Sequence, residues 1–485
     1  MKRQPIVRQP DLHPFAAYVA RRLGCTQVIE LGCSQPGELA KIYPKADIVG
    51  LGLGVDLRAV RSEYRFGRWV TWKPESDVLE TVSPDTAVDS VIVATIDTEH
   101  PSTPSLVRSL KQLLDYAPAA LVTARGTDSS VGGFRSLLES AAFCIDFMGL
   151  TAGDNVDFRK DTPLAVLGNN HRPSVERAPD DYSVIAMIAM YNEEDIIVPS
   201  LEILIQQGVE AYLLDNWSTD RTVERAEQFL DRGVIAIEKF PSDGPSETFP
   251  YTSILNRKAE LSRKLDADWF LHMDVDEVRR SPWPGTTLKD ALYHVDRMGF
   301  NAVDHTVLKF LPTDNGYVDG SDFERYFSFF RFVFTPQDNQ IKMWKNSGKP
   351  VALGSGHRAA FAGRRVYPYN FIYKHYPIRS QQHGERKIFS ERQPRMDANE
   401  LAAGWHGHYR RFLPDQSFLG DPAELTRFDE MDYYEEFLVE RLASIGPEGR
   451  AAWGALMQER PRWRKLASRA RRGFHGHVRR LLMRT

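Results

Sequence analysis

Residues 267–278 read Ala-Asp-Trp-Phe-Leu-His-Met-Asp-Val-Asp-Glu-Val, an apolar run of strand length that leads directly into a cluster of carboxylates. Because alternate side chains of a strand point to the same face, Asp274 and Asp276 are expected to lie side by side. Two carboxylates this close repel each other, and a hard divalent cation with oxygen ligands relieves that repulsion. Mg²⁺ combines a few carboxylates with phosphate oxygens, so the stretch predicts a nucleotide-diphosphate site at the end of a strand. The alternative is a solvated acidic turn after a buried strand.

The sequence around this stretch alternates between strand and helix patterns from residue 182 to about residue 412. Residues 183–190 form a continuous apolar run, which suits burial on both faces of a parallel sheet. Further strands are expected at residues 211–214, 234–237 and 269–273, with helices between them. The order β-α-β-α-β-α-β predicts half of a nucleotide-binding α/β sheet, with polar residues at the carboxyl ends of the strands, where ligands bind.

Polar motifs follow three of these strands in order. They are Tyr-Asn-Glu-Glu from residue 191, Asp-Asn-Trp-Ser-Thr-Asp-Arg-Thr from residue 215, and Asp-Trp-Phe-Leu-His-Met-Asp-Val-Asp-Glu from residue 268. Together they resemble the GT-A fold glycosyltransferases, close to family 2, over residues 182–390. The resemblance implies a nucleotide-sugar donor, a glycan or lipid-linked acceptor, and Mn²⁺ or Mg²⁺ on the donor diphosphate. The order of the three motifs is more specific than any one of them.

The resemblance also implies the residues of the donor site. Asn192 and Glu193 would lie beside the nucleotide, and Asp215 and Asn216 would contact its base or ribose. Asp274 would reach the diphosphate through the metal. For Glu193 the alternative is a carboxylate at a helix start, where the helix macrodipole favours negative charge.

Asp274 and Asp276 would bind the metal, and a later histidine would complete the ligand set. The segment from Tyr373 to Ser380, with Lys387 beyond it, looks like the late His-Tyr, Ser and Lys element of relatives. His375 is therefore our candidate third ligand, and Mn²⁺ accepts a nitrogen ligand more readily than Mg²⁺. The alternative is a histidine satisfied among aromatic side chains.

Two further sets of residues are expected near the acceptor. The loop that contains His357 and Arg358 would contact the acceptor or the phosphates, unless it is simply a surface loop. Inverting transfer needs a general base, and the usual Glu-Asp motif of family 2 is absent in recognisable form. Asp304, Asp314, Asp322 and Glu324 occur where it should fall. We name Glu324 and Asp304 as the candidates, with Glu324 preferred, although a solvated carboxylate is the alternative for each.

The first 168 residues carry a second strand and helix pattern. Residues 26–37, Thr-Gln-Val-Ile-Glu-Leu-Gly-Cys-Ser-Gln-Pro-Gly, predict a strand that breaks into a glycine-containing turn before a helix. Further strands are expected at residues 47–51, 90–95 and 120–123, and an amphipathic helix at residues 15–23. This pattern resembles a class I S-adenosylmethionine-dependent methyltransferase.

That resemblance implies a cofactor site in the first segment. Glu30, Gly32 and Gly37 would flank S-adenosylmethionine. Gly52 stands where an acidic residue should bind the ribose hydroxyls, and Asp56 would substitute for it. The turn is also longer than usual and lacks its middle glycine. A degenerate domain with a structural role is therefore the alternative to an active methyltransferase.

The composition fits a globular α/β protein with several domains. The chain has 485 residues, a net charge of −3 and three cysteines without paired spacing. Such cysteine usage favours the reducing cytosol over a disulfide framework or a zinc site. No apolar run reaches the roughly 20 residues of a spanning helix, and no signal peptide is recognisable, so a cytoplasmic location is expected. The expected organisation is two Rossmann-like domains, residues 1–168 and 182–412, with a linker at 169–181 and a helical C-terminal region at 413–485.

The last 26 residues are strongly basic. Residues 460–485 hold ten Lys or Arg residues and no Asp or Glu, and their apolar residues recur at helical spacing. A basic amphipathic helix predicts attachment to an anionic membrane surface, here the inner face of the cytoplasmic membrane. The alternative is a solvated helix that packs its apolar stripe on the body of the protein. Nucleic acid is disfavoured, because aromatic residues are not interleaved with the basic ones.

The carboxylate motif and the resemblance together predict a metal-dependent glycosyltransferase, and the resemblance implies that it is inverting and moves a sugar from a UDP-linked donor to a glycan or lipid-linked acceptor. The alternative is an S-adenosylmethionine-dependent methyltransferase that acts on a glycan and uses the second domain for binding. A non-enzymatic scaffold held at a membrane by its tail is a third hypothesis.

Overall fold

The computed structural model describes residues 16, 19–20, 23, 25–33, 47–52, 68–71, 73, 76–125, 130–151, 162–333, 340–354, 356–402, 409–430 and 433–434. The chain divides into two compact units, and the division falls between Arg172 and Pro173, inside the predicted linker. Each unit has its own sheet system and is described by itself.

The first unit is built on one seven-stranded sheet. Its strands are β1 (Gln27–Cys33), β2 (Asp47–Gly52), β3 (Arg68–Thr71), β4 (Ser90–Asp97), β5 (Ala119–Arg125), β6 (Ile145–Thr151) and β7 (Thr162–Gly168). The strand order is β3-β2-β1-β4-β5-β7-β6, in which β1 to β5 are parallel and β7 is antiparallel to both neighbours. The order reverses between β1 and β4, so the ligand crevice of this doubly wound sheet is expected at their carboxyl ends.

Three helices of the first unit have complete bounds in the described residues: α1 (Pro84–Val88), α2 (Thr103–Leu114) and α3 (Val131–Ser140). Residues 16, 19, 20 and 23 are helical, as expected for the helix before β1. Local sequence explains where the helices begin. The Ser130 hydroxyl accepts a hydrogen bond from the Gly133 N–H and caps α3, and a proline lies in the first turn of α2. Strand β4 is buried on both faces, which requires its run of apolar residues.

The second unit contains two sheets. The strands of the first are β8 (Val184–Met190), β9 (Glu210–Asp215), β10 (Val234–Lys239), β11 (Trp269–Asp274), β13 (Ala302–Val303) and β16 (Met343–Lys345). Those of the second are β12 (Glu277–Arg280), β14 (His305–Phe310), β15 (Phe329–Phe332), β17 (Phe371–His375) and β18 (Thr426–Arg427). The helices are α4 (Ile197–Gln206), α5 (Thr222–Glu227), α6 (Tyr251–Leu261), α7 (Leu288–Arg297), α8 (Phe323–Tyr326), α9 (Gln381–Glu385) and α10 (Ala398–Ala402).

The six-stranded sheet determines where a ligand can bind. Its order is β10-β9-β8-β11-β16-β13, and β8 to β11 are parallel. The chain runs outward from β8 through β9 to β10 and then returns to β11 on the other side of β8. This reversal opens a crevice at the carboxyl ends of β8 and β11. Residues 191–195 follow β8, and residues 274–277 span the end of β11 and the turn after it, so both motifs reach the same edge of the sheet.

The five-stranded sheet has the order β12-β17-β14-β15-β18. Only two residues, 275 and 276, separate the end of β11 from the start of β12. The carboxylate motif therefore connects the first sheet to the second. Strand β18 pairs with β15, and residues 412–429 contain no helix. The expected helical region from residue 413 is therefore wrong over these residues, because they return to extend the sheet.

The predicted α/β fold class is confirmed, and the four strands predicted in the second unit, which correspond to β8, β9, β10 and β11, lie within two residues of the expected positions. One local prediction is wrong. Asp276 does not share a strand with Asp274, because β11 ends at Asp274 and Asp276 lies in the following turn. Gly37, Asp56 and residues 460–485 lie outside the described residues. No helix among the described residues combines the length and apolar character needed to cross a bilayer.

Candidate active site

A cavity of about 500 Å³ opens at the carboxyl ends of β8 and β11. Its lining combines residues from the loops after these strands, from β17 and from the segment that follows α9. The charged residues and histidines in the lining are Glu193, Lys258, His272, Asp274, Asp276, Glu277, Lys309, Lys342, His357, His375, Lys387 and Arg392. A pocket with so many ionisable groups at the switch point of an α/β sheet is where a charged ligand is expected.

Asp274 and Asp276 both line the cavity, but their surroundings differ. The Asp274 side chain is 47% exposed, and its ion pair is a long one, 3.7 Å from Oδ1 to Nζ of Lys258. The Asp276 side chain is 9% exposed, and its Oδ2 accepts a hydrogen bond of 2.9 Å from Nζ of Lys387. Asp274 is thus the carboxylate that a ligand can reach, whereas Asp276 is already held by a cation.

His375, the predicted third metal ligand, lies next to Asp276. Its Nε2 is 3.7 Å from Oδ1 of Asp276, the oxygen that Lys387 leaves open. The ligand atoms of Asp274, Asp276 and His375 do not all lie within 4.8 Å of one another. Among the described residues, that criterion is met by Glu193, Asp195 and His383. In that cluster, however, Arg379 already forms ion pairs with both carboxylates.

A chain of buried ion pairs connects the loop after β8, the carboxylate motif after β11 and the later segment that contains Arg379 and Lys387. The Arg379 guanidinium donates to both Asp195 and Glu193. Lys387 Nζ then donates to Glu193 Oε1 at 3.0 Å and to Asp276 at 2.9 Å. Glu193, predicted to lie beside the nucleotide, lines the cavity, but both of its oxygens bind cations of the protein. Its described contacts are structural, because they anchor the later segment to the loop after β8.

Glu277 belongs to a second buried network. Its carboxylate accepts hydrogen bonds from Arg279, from the Tyr373 hydroxyl and, at 2.8 Å, from Nζ of Lys342. Burial alone would raise the pKa of Glu277, but the positive charges of Arg279 and Lys342 hold that pKa well below its usual range. Glu277 therefore stays ionised and braces β12 against β17.

The loops after β8 and β9 are joined by hydrogen bonds. The Asn192 N–H donates to Oγ of Ser218 at 3.2 Å, and Oδ1 of Asn192 accepts from the Thr219 N–H at 2.8 Å. The Glu193 N–H donates to Oγ1 of Thr222 at 2.8 Å. Asn192 has φ 54°, a left-handed conformation that asparagine tolerates better than most residues. The side chain predicted to lie beside the nucleotide therefore holds the two loops together.

Asp215 and Asn216 occupy different positions relative to the cavity. Asp215 is fully buried and accepts from the Ser218 N–H at 3.1 Å, and burial raises the pKa of its carboxyl group. Asn216 lines the cavity. Its amide donates to the Phe240 carbonyl at 2.9 Å, and its oxygen accepts from Arg395 at 2.8 Å. Asn216 is thus the one of the two that faces a ligand.

Neither predicted general base lines the cavity. Asp304 is buried, and its Oδ1 accepts the N–H groups of His305 and Gln340, each at 2.7 Å. Glu324 forms ion pairs with Arg280 and Lys374. Burial would raise the pKa of Glu324, but these cations lower it. Both carboxylates stabilise the local fold, and neither is placed to accept a proton from a ligand in the cavity.

Of the two loop residues predicted to contact the acceptor or the phosphates, His357 and Arg358, only one lines the cavity. His357 lines the cavity, and its Nδ1 lies 3.1 Å from Nε2 of Gln340. Arg358 is exposed and is not part of the lining. Gly356 has φ 76°, and a Cβ added there would lie 1.8 Å from the Tyr251 hydroxyl oxygen. Only glycine allows the loop to pass this close to Tyr251.

Lys258 was missed in the sequence, although it lies on α6 beside the carboxylate motif. It is fully buried, with Nζ 3.0 Å from Nδ1 of His272 and 2.9 Å from the Met273 carbonyl oxygen, to which it donates. Burial lowers the pKa of Lys258 to about 8, against the opposing attraction of Asp274 and Glu277. The helical pattern of residues 253–265 was visible, but not which lysine would point inward.

The Lys258 pKa predicts a pH dependence of stability. The unfolded chain keeps this proton up to about pH 10.5, whereas the folded chain releases it near pH 8. Between these values the unfolded state binds more protons, so the free energy of unfolding should rise with pH relative to a Lys258→Met variant. The expected rise is on the order of 3 kcal/mol. Urea unfolding of both proteins from pH 7.5 to 10.5 measures it, and a constant difference would contradict the lowered pKa.

In the first unit, Glu30 lies in the middle of β1, and Gly32 lies one residue before the strand ends. Glu30 is buried, and Gly32 has φ 79°, a left-handed conformation that favours glycine. The pairing register of β1 with β2 shifts between Leu31 and Cys33, so the strand is interrupted where Gly32 lies. Gly32 therefore lies at the carboxyl end of β1, and residues 34–37 of the predicted turn lie outside the described residues.

No protein-family model matches the chain, and no curated protein matches it. Solved structures similar to parts of it include S. aureus TarS in complex with UDP-GlcNAc, at 17% identity and a TM-score of 0.21 over 34% of this chain and 46% of that chain. TarS in complex with UDP has 14% identity and a TM-score of 0.25 over 42% of this chain and 63% of that chain. The glycopeptide N-methyltransferase MtfA has 13% identity and a TM-score of 0.23 over 32% of this chain and 95% of that chain.

The chain spans 28% to 47% of the length of the first TarS structures that it matches. At these identities and TM-scores the similarities carry no argument about activity. The α/β assignment rests on the two predominantly parallel sheets themselves, with helices between their strands.

Proposed function

We propose that the second unit is a metal-dependent glycosyltransferase that takes a sugar from a nucleotide-diphosphate donor and passes it to a glycan or lipid-linked acceptor. The observation that carries this proposal is the position of Asp274. It lies at the end of β11, half exposed, in a charged cavity at the switch point of a parallel sheet. UDP as the nucleotide and inversion at the sugar carbon follow from the resemblance of the three motifs.

The available ligand atoms suit a hard or borderline cation. Asp274 offers a carboxylate, Asp276 offers its Oδ1, and His375 offers an imidazole nitrogen beside it. Two oxygen ligands and one nitrogen match the chemistry of Mn²⁺, and of Mg²⁺ when phosphate oxygens complete the shell, but a metal bound by all three would require these ligand atoms to move closer together than they are here. A metal held by Asp274 and Asp276 would neutralise the charge that develops on the departing diphosphate.

The protein's own residues hold this arrangement in place. Lys387 fixes Asp276, and Lys258 lies beside Asp274, so both carboxylates are positioned before a ligand arrives. Tyr191 and Asn216 also line the cavity and are our candidates to contact the nucleoside, beside Arg395, which packs over the Tyr191 ring and donates to the Asn216 oxygen. Such preorganised charged groups contribute to catalysis because they do not reorganise during the reaction.

An assay of UDP release from UDP-sugars tests the proposal. The full-length protein is incubated with UDP-glucose, UDP-galactose and UDP-GlcNAc, each with Mn²⁺, Mg²⁺ or EDTA. We expect UDP release with at least one donor, and loss of that release in EDTA followed by recovery with added Mn²⁺. The same ligands should raise the melting temperature, because they bind the native state. Undiminished release in EDTA would contradict the metal role.

The first unit supports a second candidate function, transfer of a methyl group from S-adenosylmethionine. The supporting observation is its seven-stranded sheet, with the order 3-2-1-4-5-7-6, an antiparallel seventh strand and Gly32 at the end of β1. Calorimetry with S-adenosylmethionine and with UDP distinguishes the two candidates. Micromolar binding of S-adenosylmethionine would favour an active methyltransferase domain. Binding of UDP alone would leave the first unit with a structural role.

A further inference from the structure

The segment Arg386–Arg392 is a π-helix that continues directly from α9. The Gln393 N–H donates to the Ile388 carbonyl oxygen at 2.9 Å, five residues earlier. Hydrogen bonding from i to i+5 places residues five apart above one another, whereas the α-helical rotation of about 100° per residue would place them on different faces. As a result, Lys387 and Arg392, which are five residues apart, both line the cavity.

These two cations differ in their partners. Lys387 forms ion pairs with Glu193 and Asp276. No carboxylate among the described residues is paired with Arg392, and its Nε atom is enclosed without a hydrogen-bond partner there. The Arg392 guanidinium packs over the ring of Phe249 at 4.4 Å from the centroid. The cavity therefore contains a guanidinium whose Nε–H has no acceptor in the described part of the chain.

We propose that Arg392 binds the diphosphate of a nucleoside-diphosphate ligand directly, and that the π-helical segment is what delivers it to the cavity. The planar guanidinium matches two phosphate oxygens at once, and packing on Phe249 fixes its plane. Desolvated donors of this kind form stronger bonds to an anion than they would in water. The proposal deepens the proposed function, on which it rests, because it names a group that holds the donor's anionic part independently of the carboxylate pair.

Calorimetric titration of the full-length protein tests the contact with three probes: UDP, inorganic pyrophosphate and uridine. The variants are Arg392→Gln, Arg392→Lys and the matched control Arg365→Gln. Arg365 also packs on a phenylalanine ring, 5.4 Å from the Phe300 centroid, but it is exposed and lies outside the cavity. A hydrogen-bonded charge pair predicts that Arg392→Gln weakens UDP and pyrophosphate roughly tenfold or more. Arg392→Lys should retain part of that affinity, and Arg365→Gln all of it.

Uridine separates a phosphate contact from a general disturbance of the site. It lacks phosphate, so its affinity should be the same in all four proteins if Arg392 acts on the diphosphate. Equal weakening of uridine and UDP in Arg392→Gln would overturn the proposal. Wild-type affinity of Arg392→Gln for UDP and pyrophosphate would also overturn it. The same holds if the wild-type protein does not bind pyrophosphate. If Arg392→Gln does not fold, as judged by its thermal transition, Arg392→Lys decides by the same comparison.

The outcomes also distinguish the proposed role of Arg392 from the proposed glycosyltransferase activity. Pyrophosphate binding that depends on Arg392, without sugar release from any UDP-sugar, would support the anion site and overturn the transferase. Sugar release with a wild-type response to pyrophosphate in Arg392→Gln would support the transferase and overturn the role of Arg392.

Discussion

Asp274→Asn is expected to lower the rate of sugar transfer at least about a hundredfold while leaving the free energy of unfolding within about 1 kcal/mol of the wild type. A bound metal contributes several kcal/mol of transition-state charge stabilisation, which an uncharged amide would no longer support. The stability change is small because the side chain is half exposed and its ion pair with Lys258 is 3.7 Å long.

A comparison with Asp276→Asn distinguishes a loss of activity from a loss of stability. That substitution should remove transfer as well, but it also takes a carboxylate from buried Lys387 and should lower stability measurably. Steady-state kinetics and urea unfolding of both variants give the two quantities. Asp415→Asn, at an exposed position outside the cavity, serves as the control. Wild-type turnover in Asp274→Asn would remove the central residue of the proposed mechanism.

Arg379→Met is expected to lower the free energy of unfolding by about 3–5 kcal/mol, the usual cost of removing one partner from a buried ion pair. Arg379 is 1% exposed and donates to both Glu193 and Asp195. Without the guanidinium, Glu193 keeps its ion pair with Lys387, whereas the buried Asp195 carboxylate loses the positive charge of Arg379. Urea unfolding followed by circular dichroism measures the change.

Arg221→Met is the matched control for that experiment. Arg221 forms an ion pair with Glu224, but the two side chains are 59% and 61% exposed. Exposed pairs contribute at most about 1 kcal/mol, so this variant should unfold almost as the wild type does. Similar losses in both variants would mean that the buried network does not hold the loop after β8 in place.

The positions of the main strands could be predicted from the sequence because their signal is local. Strands β8 and β11 are unbroken apolar runs that end in polar motifs, and each was located within two residues. The position of Asp276 was predicted for the wrong reason. Period-two alternation assumes that the strand continues, but β11 ends at Asp274, and a turn brings Asp276 to the cavity instead.

The partners of the site residues could not be predicted, because they lie far away in the chain. Lys387 is 111 residues from Asp276 and 194 from Glu193, and no local periodicity connects them. For the same reason, Asp304 looked available as a base, although the backbone of Gln340 occupies its carboxylate. The π-helix was also invisible, since Arg386–Arg392 has no sequence feature that separates it from an α-helix.

The hydrogen bonds between the loops after β8 and β9 have a consequence for engineering. Asn192, Glu193 and Glu194 each donate a backbone N–H to a side chain of the 215–222 loop, and Thr219 and Arg221 donate theirs in return. If only one of these loops were replaced by the corresponding loop of a homologue, several of those N–H groups would lose their hydrogen-bond acceptors. Donor preference should therefore be transplantable between relatives only when both loops are moved as a single cassette.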